Sequence, residues 1–226
     1  GKTPLLNKDF TVNSNDSIDS FYNIKIYDDL NNAIAQKPDL AIISTPTSTH
    51  MKFIKICVEN KISVFVEKPF SHSLDNFDFI SNYVIKNKLF FYVSMQRRFH
   101  PLIQEISKII KNKEIGEIIN VQFNVNSYVP DWHKYENFID LYACRKELGG
   151  GVLLTEIHEI DLAYWFFGMP KSVSCTGGSY SNLCSGVEDT VHMNLIYEGF
   201  SVQLNMSFMQ RYTKRSFFVA GDKGYV

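Results

Sequence analysis

Hydrophobic positions follow two kinds of pattern along this chain, and the change from one to the other divides it. Residues 40–44, 62–66 and 89–94 are short, nearly unbroken apolar runs, the pattern of strands buried on both faces of a parallel sheet. Between the first two runs Met51, Ile54, Cys57 and Val58 recur at helical spacing. Between the second and third, Phe77, Ile80 and Val84 do so behind Ser73, which can cap a helix. A polar loop over residues 1–22, a strand at 24–27 and a helix at 28–36 with acidic residues at its start are expected ahead of them. Strands alternating with amphipathic helices predict right-handed βαβ units and a doubly wound parallel sheet over residues 1–97.

After Gln96, Arg97, Arg98, Phe99, His100 and Pro101 the period changes. A helix is predicted over residues 102–112, ending near Gly116. From there Ile119, Val121, Phe123 and Val125 alternate with Asn120, Gln122, Asn124 and Asn126. The same period of two returns in Val202, Leu204, Met206 and Phe208, and more loosely around Val191, Met193 and Leu195. Strands of this kind have one apolar and one polar face, so residues 98–226 are expected to form an α+β domain with a largely antiparallel open sheet. The polar face is either solvated or a wet subunit interface, and homo-oligomerisation through this sheet is the expectation carried forward.

Composition narrows the partners. The chain has 226 residues, 45% hydrophobic and 21% charged, enough for substantial cores. A formal net charge of -1 without a basic run provides no electrostatic footprint for nucleic acid or an anionic membrane, so a small molecule is the expected partner. No apolar stretch reaches the roughly 18 residues of a membrane span, and the polar start is not a signal peptide. Cys57, Cys144, Cys175 and Cys184 form no C-x-x-C pair, so reduced thiols in a cytoplasmic protein are expected, with no metal site.

Three stretches could carry chemistry. The run Ser63, Val64, Phe65, Val66 ends in Glu67, Lys68 and Pro69, which puts Lys68 at a strand's C-terminal edge, where open α/β sheets bind ligands. Partly desolvated there, a lysine can polarise a hydroxyl or carbonyl; the alternative is a surface lysine paired with Glu67. Gly149, Gly150 and Gly151 open a helix running to Phe167, on which Thr155, His158, Asp161 and Trp165 share a face as a polar seam. That seam either faces a substrate cleft or holds a core histidine bonded to Asp161 or to backbone. The aromatic and polar mixture from Tyr128 to Tyr135, with Trp132 at its centre, suits a sugar ring or simply covers a loop.

Taken in order, Ser44, Thr45, Pro46 to His50; Glu67, Lys68, Pro69; Gln96 to Pro101; and Gly149 to Asp161 resemble the Gfo/Idh/MocA family of glucose-fructose oxidoreductases and inositol dehydrogenases. The resemblance implies a Rossmann-type NAD(P)-binding domain, an open-sheet domain after it, and hydride transfer at a carbon of a sugar, a sugar derivative (nucleotide-linked ones included) or a cyclitol. By it His158 and Lys68 share the acid/base work. Ser44, Thr45, Pro46, His50, Glu67, Lys68 and Gln96 lie beside NAD or NADP, and Arg98, Trp132, Thr155 and Asp161 touch substrate. Two features depart from the family. The aspartate that many members carry four residues before the histidine is Leu154 here, or Thr155 when the glycines are aligned. After Gly1 the next glycine is Gly116, so the first βα unit and its G-x-G-x-x-G turn are absent, and both ends are expected to be lost from a longer parent that binds cofactor better. A non-catalytic sugar-binding or regulatory protein that keeps the fold is the alternative.

Overall fold

The computed structural model describes residues 5–184 and 186–226, so the predicted loop at 1–22 lies partly outside the described residues. In chain order the elements are α1 (Ile18–Tyr22), α2 (Leu30–Ile34), β1 (Leu40–Ile43), α3 (Thr47–Glu59), β2 (Ser63–Val66), α4 (Phe77–Asn87), β3 (Phe91–Val93) and α5 (Pro101–Lys111). They continue as β4 (Ile118–Tyr128), α6 (Val152–Thr155), α7 (His158–Phe167), β5 (Ser172–Gly178), β6 (Thr190–Ile196), β7 (Ser201–Ser207) and β8 (Met209–Gly221).

The first sheet is parallel, in the order β1-β2-β3, with Leu40 opposite Ser63 and Val64 opposite Phe91. Met51, Ile54, Cys57 and Val58 of α3 and Ile80 of α4 bury one face of it together with Ile43, Val64 and Val66. That is the predicted helical stripe meeting every second residue of the strands. The other face differs from the expectation of strands buried on both sides. Ile42 is 70% exposed, and Phe65, Tyr92 and Phe90 stack in a row on that side with Phe99 tilted against Tyr92. With both packing helices on one side, alternate side chains are left to cover one another.

The second sheet is mixed, in the order β5-β6-β7-β4-β8, with β4 parallel to β7 and the other pairs antiparallel. Its apolar face (Val121, Phe123, Val125, Val191, Met193, Leu195, Val202, Leu204 and Met206) packs with Leu162 and Ala163 of α7 and Ile103 of α5. The polar face carries a side-chain ladder across four strands. Asn124 Nδ2 donates to Ser216 Oγ, Asn205 Nδ2 donates to Asn124 Oδ1, and His192 Nδ1 lies 2.8 Å from Asn205 Oδ1. Ile119, predicted to face the core, is 58% exposed because the register shifts between Ile118 and Asn120.

Local predictions are corrected at four places. Residues 24–27 form no strand, and with Ile24 and Ile26 both exposed they gain neither ladder nor burial. The helix expected at 28–36 contracts to α2, opened by the Asp29 side chain accepting from the Asn31 amide. Ser73 caps a local turn through Asp75, and α4 starts after Asn76, which is left-handed at φ 61. Finally, Cys144 and Cys184 form a disulfide with Cα atoms 4.6 Å apart, where reduced thiols were expected. Both are buried in the second core, which brings together positions 40 residues apart in a way no sequence spacing reveals. Among the described residues no helix is long and apolar enough to cross a membrane.

Candidate active site

Ladder hydrogen bonds run to the end of β2: the Glu67 amide donates to Ile43 O at 2.8 Å and the Ser94 amide to Val66 O at 2.8 Å. The chain leaves the sheet at Glu67 and Lys68, its C-terminal edge. Beside them Ser44, Thr45, Pro46 and Thr47 follow β1, and with Tyr142 these residues line a cleft of about 260 Å³. His50 sits beneath the cleft, 1% exposed, its Nδ1 2.9 Å from Pro69 O and its Nε2 2.8 Å from Thr45 O. Its ring thus ties the turn after Lys68 to the turn after β1, and both its nitrogens are occupied in doing so.

Lys68 does not pair through its ammonium with Glu67. Nζ donates instead to the Thr155 carbonyl oxygen at 2.6 Å, across 87 residues. That carbonyl is available because the predicted continuous helix is broken. α6 ends at Thr155, Glu156 adopts φ -100 and ψ 32, and α7 begins at His158. The Glu159 amide donates to Glu156 O rather than continuing the i to i-4 pattern onto Thr155. At the start of α6, Gly151 has φ +105, and a Cβ there would lie 2.3 Å from Glu188 Oε1. The Glu188 carboxylate accepts from the Leu153 amide, closing that helix start.

Around the break stand two buried polar atoms without a partner among the described residues: the Nδ1 of His158, which is 4% exposed, and the Oγ1 of the equally buried Thr155. The alternative of a core histidine bonded to Asp161 does not hold, because Asp161 accepts from Arg98 Nε at 2.8 Å and Nη2 at 2.5 Å. Burial, and then the positive charges of Lys68, Arg97 and Arg215, hold the His158 imidazole down at about 3, so it is neutral through the ordinary pH range. A neutral imidazole and an ammonium at one helix break can accept a proton and stabilise a negative oxygen.

The remaining predicted site residues divide by position. Arg98 and Asp161 occupy each other's polar atoms and dock the 3₁₀ turn at Gln96–Phe99 against α7. Gln96 begins that turn, exposed, and does not line the cleft. Trp132 lies elsewhere: its Nε1 donates to Ser127 Oγ, its ring packs edge-on against Phe208, and it borders a separate cavity of about 650 Å³ with Phe10 and Thr11. Two residues near the site were not anticipated: Tyr142 lines the cleft, and Arg215 of β8 binds both Glu156 and Glu159. The Tyr142 position depends on the fold of a loop, and the Arg215 contacts span 56 and 59 residues, so no local spacing signals either.

A three-stranded parallel sheet that presents a lysine from its C-terminal edge to a broken helix on a mixed open sheet defines a two-part α/β protein with its site at the junction. The chain belongs to the GFO/IDH/MocA oxidoreductases: residues 11–95 match the oxidoreductase family, NAD-binding Rossmann fold, and residues 103–226 match the GFO/IDH/MocA C-terminal domain. Curated relatives in Bacillus subtilis (strain 168) include scyllo-inositol 2-dehydrogenase (NAD(+)), 33% identical over 64% of this chain and 40% of that protein. The uncharacterized oxidoreductase YrbE from the same organism is 28% identical over 71% of this chain and 46% of its own length. Among solved structures, the WlbA dehydrogenase from Bordetella pertussis in complex with NADH and UDP-GlcNAcA superposes with a TM-score of 0.82, covering 92% of this chain and 60% of that one at 21% identity. The chain thus spans less than half the length of these two curated relatives.

Proposed function

We propose that this protein is an NAD(P)-dependent oxidoreductase that moves hydride to or from a hydroxyl- or carbonyl-bearing carbon of a sugar, a sugar derivative such as a nucleotide-linked sugar, or a cyclitol. One observation carries the proposal. The Lys68 ammonium is anchored on the Thr155 carbonyl beside a buried, neutral His158 whose Nδ1 has no partner among the described residues. In oxidation, His158 accepts the hydroxyl proton while Lys68 stabilises the oxygen as negative charge develops; in reduction the same groups return the proton. The cleft lined by Ser44, Thr45, Pro46, Thr47, Glu67 and Tyr142 opens next to Lys68, which suits the reactive end of a dinucleotide there. The nicotinamide supplies the hydride chemistry; the protein supplies orientation and proton handling. His50 serves by holding the turns after β1 and β2 together.

The orphaned Thr155 hydroxyl is assigned to a substrate hydroxyl, the partner that would satisfy it in the closed site. The ladder of Ser216, Asn124, Asn205 and His192 gives the sheet's polar face a regular pattern suited to a wet, self-complementary interface, and we assign homo-oligomer contacts to that face. Sedimentation of wild type against Asn124→Arg tests this, with a lower mass expected for the variant. The catalytic proposal is tested by following dinucleotide reduction against a panel of cyclitols and nucleotide-linked sugars. Lys68→Ala is expected to reduce turnover by about 10² to 10⁴-fold while leaving the circular dichroism spectrum unchanged. Near-normal turnover in that variant would overturn the assignment.

A further inference from the structure

Arg215 lies on β8, far in sequence from the helix break, yet its guanidinium grips both carboxylates that flank His158. Nε donates to Glu159 Oε1 at 2.7 Å, Nη2 lies 3.4 Å from Glu159 Oε2, and Nη2 also donates to Glu156 Oε2. The cluster is withdrawn from solvent, with side-chain exposures of 20% for Arg215, 14% for Glu156 and none for Glu159. Glu156 occupies the break itself and Glu159 the second position of α7, so the two acids bracket His158 in sequence. The histidine between them makes no hydrogen bond to either, and its Nδ1 is left bare.

That absence calls for a cause. Glu159 follows His158 on α7 and leaves the helix on another face, but Glu156 stands in the non-helical break, where a carboxylate beside a buried imidazole has an electrostatic reason to bond it and make it an imidazolium. We infer that Arg215 is a positioning residue, which draws Glu156 and Glu159 away from His158 and so keeps the ring free and neutral for substrate. The pattern of contacts supports this. The guanidinium fork matches two carboxylates at once, as a lysine could not. Lys68, from the opposite sheet, fixes the Thr155 carbonyl on the other side of the same break. The break is therefore held from both sheets, by an ammonium on its carbonyl and a guanidinium on its carboxylates.

The charged groups around His158 are Lys68 from the end of β2, Arg97 from the 3₁₀ turn after β3, Arg215 from β8, and Glu156 and Glu159 on its own segment, with Asp161 one turn on and already bonded to Arg98. Arg97 makes no ion pair or side-chain hydrogen bond among the described residues, although its charge also acts on Glu156 and Glu159, so of the two cations only Arg215 bonds the carboxylates. Burial nevertheless pushes Glu159 above the usual carboxylate range, and Arg215 opposes that push. Removing Arg215 would leave a buried carboxylate in need of a proton or a cation, with His158 the adjacent group able to supply one.

The inference rests on His158 as the acid/base group, but its test needs no substrate. Imidazole signals of this chain are followed by NMR against pH in wild type, Arg215→Gln and the double variant Glu159→Gln/Arg215→Gln, with His158→Gln used to assign the His158 signal. The double variant removes a buried charge pair together and guards against failure of the single variant to fold. In wild type, His158 is expected not to protonate above about pH 4. In both Arg215 variants it is expected to titrate at least about one pH unit higher, because Glu156 is free to reach it in each. An Arg215 that acted only through its own charge, which already helps to hold His158 down, would give the same rise in the triple variant Glu156→Gln/Glu159→Gln/Arg215→Gln, where no carboxylate is left to reach the ring, and an Arg215 that merely stabilised the fold would leave the titration where it was. Either result, in whichever variants fold, overturns the proposal. A raised titration together with near-normal turnover of Lys68→Ala would instead uphold the clamp and count against the catalytic assignment.

Discussion

At the scale of single residues, the site is built from groups whose ordinary partners have been taken away. His158 is the clearest case. Its folded value of about 3 lies well below the 6.5 of a free imidazole, so the unfolded chain binds a proton that the folded chain refuses. Folding stability from this group is complete above pH 6.5 and is lost as pH falls towards 3. His158→Gln is therefore expected to flatten the stability curve in that window, by up to about 1.4 kcal/mol per pH unit, as measured by urea unfolding at stepped pH. Gly151 is a second residue-scale constraint, with φ +105 and a carboxylate where a methyl would go. Gly151→Ala should destabilise by about 2 kcal/mol or more, read from the urea midpoint, and should loosen the start of α6.

At the scale of elements, a few long-range polar contacts decide how strands and helices meet. Arg98 grips Asp161 through two nitrogens, and the carboxylate's side chain is only 9% exposed. This contact, rather than apolar packing alone, seats the turn after β3 on α7. Asp161→Asn is expected to cost about 1 to 3 kcal/mol because it leaves a partly buried guanidinium with a weaker acceptor. Denaturant unfolding should show a lower midpoint with an unchanged slope, since the fold's exposed surface on unfolding stays the same. The alternation in β4, β6 and β7 and the stripe on α3 were legible in the sequence because burial imposes periods of 2 and 3.6 on apolar positions. The break between α6 and α7 was not legible: helix spacing continues through residues 155–161, and the interruption coincides with Lys68 and Arg215 arriving from two different sheets.

At the scale of the whole molecule, two cores are joined by a polar junction, and one covalent link lies inside the second. The Cys144–Cys184 disulfide closes a loop of 40 residues and ties the turn carrying Tyr142 to the loop between β5 and β6. Constraining a loop of that length in the unfolded chain contributes about 4 kcal/mol on the chain-entropy account. A melting curve taken in dithiothreitol should shift down accordingly, and Cys184→Ser should reproduce the shift without further sensitivity to reductant. Because Tyr142 lines the cleft beside Lys68, the same experiment read by dinucleotide binding would show how far the link supports the site.

The sequence by itself determined the two kinds of sheet, the place where one gives way to the other, and the delivery of Lys68 to a strand edge. Each follows from local rules: the period of burial, the turn residues, and the direction of a strand. It also carried the family, because four short motifs stand in order along the chain. Only the tertiary structure decided what those residues do to one another. It moved Lys68 from Glu67 to the Thr155 carbonyl, gave Asp161 to Arg98, set Trp132 apart from the cleft, paired two cysteines and brought in Arg215. Such contacts depend on where segments 40 to 90 residues apart come to rest, a distance over which residue spacing carries no geometric information.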